Sequence, residues 1–231
     1  YRGILTGYKE AFIINKDKKN FLINKNKKSK EIIFKLLEGK DLHRYGFAWN
    51  NRWLINSHNG SSIDKIKRID VKKDYKDIYN HLLELRQKLK KRFDQGDHWT
   101  NLRSCSYMNI FKSKRIIYSD ISEKPRFSMC EPNYYTDNTV YNTNCDSYAV
   151  LGLLNSSLFN FYYRMITNSF GNQTIRLFTQ YIEEFPILSD IKKFENEINK
   201  YVLKIMNDKD DKNQIINDEK INNIIFNLYD L

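Results

Sequence analysis

Between residues 103 and 144 the chain interleaves cations with aromatic rings: Arg103, Lys112, Lys114, Arg115, Lys124 and Arg126 alternate with Tyr107, Phe111, Tyr118 and Phe127. Lysine and arginine neutralise phosphates, and arginine can grip guanine O6 and N7 with two donors at once. Asn133, Asn138, Asn142 and, farther on, Asn172 fall in expected loops, where an amide could pair with adenine. A second contribution is expected from residues 167–176, which hold Asn172 and Arg176. Together Arg103, Lys112, Lys114, Arg115, Arg126, Asn138, Asn142, Asn172 and Arg176 make a candidate double-stranded DNA contact set. The competing reading puts the rings in the core and the cations on a solvated edge, and at the level of single residues both stay open.

Other chemistries find less support. A methyltransferase needs a glycine-rich cofactor loop and a segment that holds the flipped base, and neither occurs; Pro132-Asn133-Tyr134-Tyr135 has related letters in the wrong order. A P-loop is absent. Asp64 with Asp70-Val71-Lys72 can be aligned with a metal-dependent nuclease pattern, but a chain with 39 Lys+Arg and 28 Asp+Glu produces such matches by chance. His43, His58, His81 and His98 lack ligand spacing, and Cys105, Cys130 and Cys145 lack CxxC spacing, so no metal site is expected. This chain is therefore expected to have no catalytic residues and no cofactor.

The elements that must carry these side chains belong to a globular chain. Of 231 residues 41% are hydrophobic and 14% aromatic, with only 8 Gly and 3 Pro. The net charge of +11 fits a polyanionic partner, although lysine- and asparagine-rich codon usage raises the same count. The odd cysteine count fits a reducing cytoplasm. The most apolar stretch, residues 148–167, is broken by Asn155, Asn160 and Arg164, so no membrane span is expected. The chain opens on Tyr1-Arg2-Gly3 without a methionine and reads as a fragment, with chemistry expected elsewhere in its parent.

Residues 11–15 (AFIIN) and 20–24 (NFLIN) predict a hairpin around a lysine-rich turn, followed by a helix over 29–37 and a strand over 52–57. Ile78, Leu82, Leu85, Leu89 and Phe93 recur at helical spacing and predict one helix over 74–93. Strands follow at 115–119, 126–131 and 138–143. One helix is predicted from a cap at Asp146 or Ser147 to residue 167, with Tyr148, Leu151, Leu154, Leu158 and Tyr162 inward. Two more helices follow, joined by a charged loop over 207–212. The pattern is α+β: a small mixed or antiparallel sheet with packed helices and a helical C-terminal region, divided into a DNA-recognition domain over 1–187 and a helical segment over 188–231.

Several motifs run in order through the chain: residues 2–14 (RGILTGYKEAFII), 37–45 (LEGKDLHRY), Trp53-Leu54-Ile55, Trp99-Thr100-Asn101-Leu102-Arg103 and Lys114-Arg115-Ile116-Ile117-Tyr118. They continue through Asn138-Thr139-Val140-Tyr141, Leu153-Leu154-Asn155-Ser156, Arg176, Tyr181, Phe185-Pro186 and 219–231. In these the chain resembles the TaqI-like C-terminal specificity domain of type IIG restriction–modification enzymes and related adenine-N6 DNA methyltransferases. Asn222 stands where that family usually has Asp. The resemblance implies a target-recognition module that selects a DNA site. Catalysis and the methyl-donor site would belong to an N-terminal methyltransferase domain of the parent, often preceded by a nuclease, and S-adenosylmethionine and Mg²⁺ would be cofactors of that parent. It also implies that Asn155 and Ser156 hold the fold rather than touch bases. Two alternatives remain: a helical interaction module docking on a methyltransferase or specificity subunit, and a nuclease fragment.

Overall fold

The computed structural model describes residues 1–63, 65–167 and 174–231. Its helices are α1 (Lys9–Phe12), α2 (Lys16–Lys25), α3 (Val71–Asp74), α4 (Lys76–Leu83), α5 (Arg86–Lys90), α6 (Tyr148–Leu154), α7 (Ser157–Ile166), α8 (Thr179–Glu183), α9 (Ile191–Asn207) and α10 (Asp211–Leu228). Its strands are β1 (Ile13–Ile14), β2 (Ile33–Leu37), β3 (Trp53–Ile55), β4 (Arg115–Ser119), β5 (Ile121–Ser122), β6 (Phe127–Cys130), β7 (Tyr134–Thr136), β8 (Val140–Asn142) and β9 (Ile175–Arg176). The class is α+β.

The chain forms two compact units, each built from separated segments. The first comprises Tyr1–Glu38, Trp49–Ser113 and Pro132–Asn138, the second Gly39–Ala48, Lys114–Glu131 and Thr139–Leu231. The expected boundary at residue 187 is not where this division falls: α9 and α10 belong to the same unit as β4, β6 and β8.

In the first unit a four-stranded sheet runs β1-β3-β2-β7, antiparallel except for the parallel β2–β7 pair, which joins Lys35 to Tyr134. Phe12, Leu36, Leu54, Ile55, Ile78, Leu82 and Phe111 fill its core. The hairpin expected over 11–24 is instead the short β1 followed by α2. Asn15 caps that helix by accepting from the Lys18 amide at 2.8 Å, so the lysine-rich "turn" is its first turn. The helix expected over 29–37 is a 3-10 turn, Lys27–Ile32, leading into β2, where pairing with β3 and β7 overrides a weak local pattern. The helix expected over 74–93 is broken into α4 and α5. Ile78, Leu82 and Leu89 are buried as predicted, whereas Phe93 is fully exposed.

In the second unit β4 is the centre of an antiparallel sheet, β6-β4-β8, and all five of its residues are buried. β5 pairs with β9. The single helix expected over 146–167 is two. Asn155 closes α6 and Ser156 caps α7 by accepting from the Phe159 amide. Restarting the helix turns its inner face, so Phe159 and Tyr163 are buried while Leu158 and Tyr162 are only partly so. Gly152 lets α6 lie close against α9, because a Cβ there would come 2.8 Å from Ile198 Cγ2. Among the described residues no helix is long and apolar enough to cross a membrane.

Candidate nucleic-acid interface

In the first unit a buried arginine organises the segment that carries Arg103. The Arg92 guanidinium donates to the carbonyls of Thr6 (2.7 Å), Trp99 (2.8 Å) and Asn101 (2.9 Å), and its Nε to that of Leu89 (3.3 Å). Burial pulls its pKa down to about 10, which still leaves it charged at neutral pH. The Asn101 amide donates to the carbonyls of Ile69, Ser57 and His58, and its oxygen accepts from Arg68 at 3.0 Å. Arg92 thus ties residues 89–101 to the N-terminal segment at Thr6, and Asn101 ties them to the 57–69 loop, chiefly by bonds to main chain. Such bonds fix loop geometry while leaving neighbouring side chains free to point outward.

Arg103 is exposed and pairs with Asp94 at 3.2 Å. Lys112 is exposed and donates to Asn109. Asn138 is half-buried, and its carbonyl accepts from Arg2 Nε at 2.8 Å. A surface cavity of about 330 Å³ is lined by Arg2, Leu5, Arg103, Tyr107 and Asn138, so two of the expected contact residues meet across one depression.

In the second unit the expected residues divide by burial. Arg115 is 0% exposed, and its Nε donates at 2.9 Å to Asn142 Oδ1, itself buried. A base-reading role for these two is corrected by this geometry: a side chain enclosed in a central strand does not reach a groove. Lys114 donates to Tyr148 Oη at 2.6 Å and lies over the same ring, and that hydrogen bond chiefly raises its pKa. Arg176 grips Asp120 with Nε and Nη2 at 3.0 and 3.2 Å, a bidentate pair that raises its pKa. Arg126 is half-exposed and has no hydrogen bond or ion pair among the described residues. Of the expected set it is the guanidinium best placed to accept a new partner. Asn172 lies outside the described residues.

Asn155 spans β6 from the end of α6. Its Nδ2 donates to the Phe127 carbonyl and its Oδ1 accepts from the Phe127 amide, 2.9 and 3.1 Å. Arg44 donates to the Asn155 carbonyl and to Asp218 of α10, and Tyr45 Oη also donates to Asp218. The nuclease pattern gains nothing here. Asp70 caps α3 by accepting from the Lys73 amide, Asp64 lies outside the described residues, and no group of three or more His, Cys, Asp or Glu able to hold a metal occurs among those described. The role of Arg92 is not evident from residue type alone. The available clue is a basic residue three positions after the core residue Leu89, where a helical stripe would continue inward.

Residues 34–187 match the TaqI-like C-terminal specificity domain. The type II methyltransferase M.MjaIV of Methanocaldococcus jannaschii is 27% identical over 230 residues, covering 91% of this chain and 73% of that protein. A structure of the type IIL restriction–modification enzyme MmeI in complex with DNA superposes with a TM-score of 0.69 at 14% identity. That match covers 99% of this chain, which spans about a third (32%) of the MmeI chain; at this identity the likeness is one of fold.

Proposed function

The chain belongs to the TaqI-like C-terminal specificity domain family, and from that premise we propose that it selects the DNA target of a type IIG restriction–modification enzyme that methylates adenine N6. The family match over residues 34–187 carries this reading. Kinship to a type II methyltransferase supports a methyltransferase parent. S-adenosylmethionine and Mg²⁺ would act in catalytic domains, including an N-terminal methyltransferase domain, and not through the residues described above. This chain's part is to hold duplex DNA by phosphate contacts and to present a few side chains to base edges. Arg103 and Arg126 are the first candidates for the second task, since Arg103 is exposed beside Asp94 and Arg126 is half-exposed with no hydrogen bond or ion pair among the described residues.

The test is duplex binding by the intact protein across a salt series, with sequence selection from a random pool. Each phosphate contact adds roughly −0.9 to the slope of log K against log salt, so affinity should fall steeply. The selected motif should match the one modified in host DNA, read by methylation-sensitive sequencing. A flat salt response, or a pool with no enriched motif, would overturn the proposal.

A second role is compatible with the first. Leu203, Ile215 and Ile216 of α9 and α10 are exposed, and a docking contact with a catalytic domain would cover them.

A further inference from the structure

Residues 92 and 93 reverse the usual order of burial. Arg92, a cation, is enclosed and satisfied by four carbonyls, while Phe93 beside it is 99% exposed, beyond the 75% of Ile63. The apolar stripe through Ile78, Leu82 and Leu89 would carry Phe93 into the core if the helix continued. Instead α5 ends at Lys90, and the Phe93 carbonyl accepts from the Gln95 amide in a tight turn. The ring is therefore held out by backbone that Arg92 pins from within. Opposite it, Gly7 has φ +65°, and a Cβ there would lie 2.7 Å from the Asp94 carbonyl, so the turn is also closely packed from the N-terminal side.

The surroundings name a partner. Lys90 and Lys91 are exposed and make no ion pair among the described residues; Arg86 and Lys88, exposed on the preceding turn, lie over the rings of Trp99 and Tyr8. Of the nearby acids, Asp94 is engaged by Arg103 and Asp97 by Asn59. A ring held outside the core by pinned backbone and flanked by the unpaired Lys90 and Lys91 is complementary to a stacked polyanion. We propose that Phe93 is a wedge that enters a base step of duplex DNA while Lys90 and Lys91 neutralise the flanking phosphates, an inference that rests on the DNA-binding reading above. Apolar wedges of this kind unstack a step and bend the duplex.

The intact protein and its Phe93→Ala, Phe93→Trp and Lys90→Gln/Lys91→Gln variants would be titrated with duplexes carrying 2-aminopurine across the bound site. Phe93 buries nothing, so its substitution does not threaten the fold. Phe93→Ala should lose about tenfold or more in affinity, in line with the loss of one ring–base stack, and should abolish the 2-aminopurine rise. Phe93→Trp should restore both, with its own fluorescence quenched on binding. The double lysine variant should flatten the salt slope by roughly one to two. If Phe93→Ala binds within about twofold of the parent while the parent keeps its salt dependence, the wedge is wrong and the specificity reading stands. If the parent protein fails to bind duplex at low salt, both fall.

Discussion

Two arginines eleven positions apart illustrate how residue type and residue role separate. Arg115 and Arg126 lie in the same basic and aromatic stretch and could make the same bidentate contact with guanine. Arg115 is enclosed in β4 and donates to Asn142, whereas Arg126 is half-exposed and uncommitted. Arg115→Ala should therefore lower stability, since it removes a buried hydrogen bond to Asn142 and leaves a cavity, at a cost of about 1–3 kcal/mol. Arg126→Ala should leave melting unchanged and relax the modified motif at particular positions, by about 1–3 kcal/mol for a lost bidentate contact. Melting curves and a methylome of each variant separate the two. A fully stable Arg115→Ala protein with an altered motif would reverse the assignment.

At the scale of elements, α4 is fastened to α1 through a histidine. His81 Nε2 donates to the Ala11 carbonyl at 3.0 Å, and Nδ1 is buried with no partner. Burial lowers the pKa of His81 below its usual value, against smaller raising effects from the Ala11 bond and Glu84. Burial likewise lowers those of His58 and His98, also in the first unit. A folded pKa below the unfolded value means that the unfolded chain takes up the proton first. The stability is present above about pH 6.5 and is lost as pH falls from there through the folded pKa values. The melting temperature should accordingly drop on mild acidification. His81→Gln, which keeps a donor for Ala11 but does not titrate, should drop less; an equal drop would remove His81 as a source. The same element scale explains Asn155, whose paired bonds to Phe127 join the α6–α7 break to β6 and suit a fold-holding role better than base contact.

For the molecule as a whole, the chain belongs to a family of specificity domains, and its net charge of +11 fits a polyanionic partner such as DNA. The chain alone, given S-adenosylmethionine, Mg²⁺ and mixed-sequence duplex, should neither transfer methyl groups nor cleave. Tritium incorporation or magnesium-dependent nicking by the pure chain would defeat that expectation, and loss of nicking in Asp70→Ala would locate a nuclease. Much of the architecture is legible along the chain. Strand β4 and the helices α9 and α10 fall where a short β-branched and aromatic run and helical spacing put them, because those signals report near neighbours in sequence. The family is legible as well, since its motifs are short and ordered. Tertiary structure decided what periodicity does not encode. The parallel joining of β2 to β7 sets Lys35 against Tyr134 and makes a strand of residues predicted as helix. The reach of Arg92 to Thr6, 86 positions away, puts a charge inside and turns Phe93 out. Whether an arginine meets solvent, a carboxylate or a buried amide depends on chain segments distant in sequence, and local pattern carries no information about them.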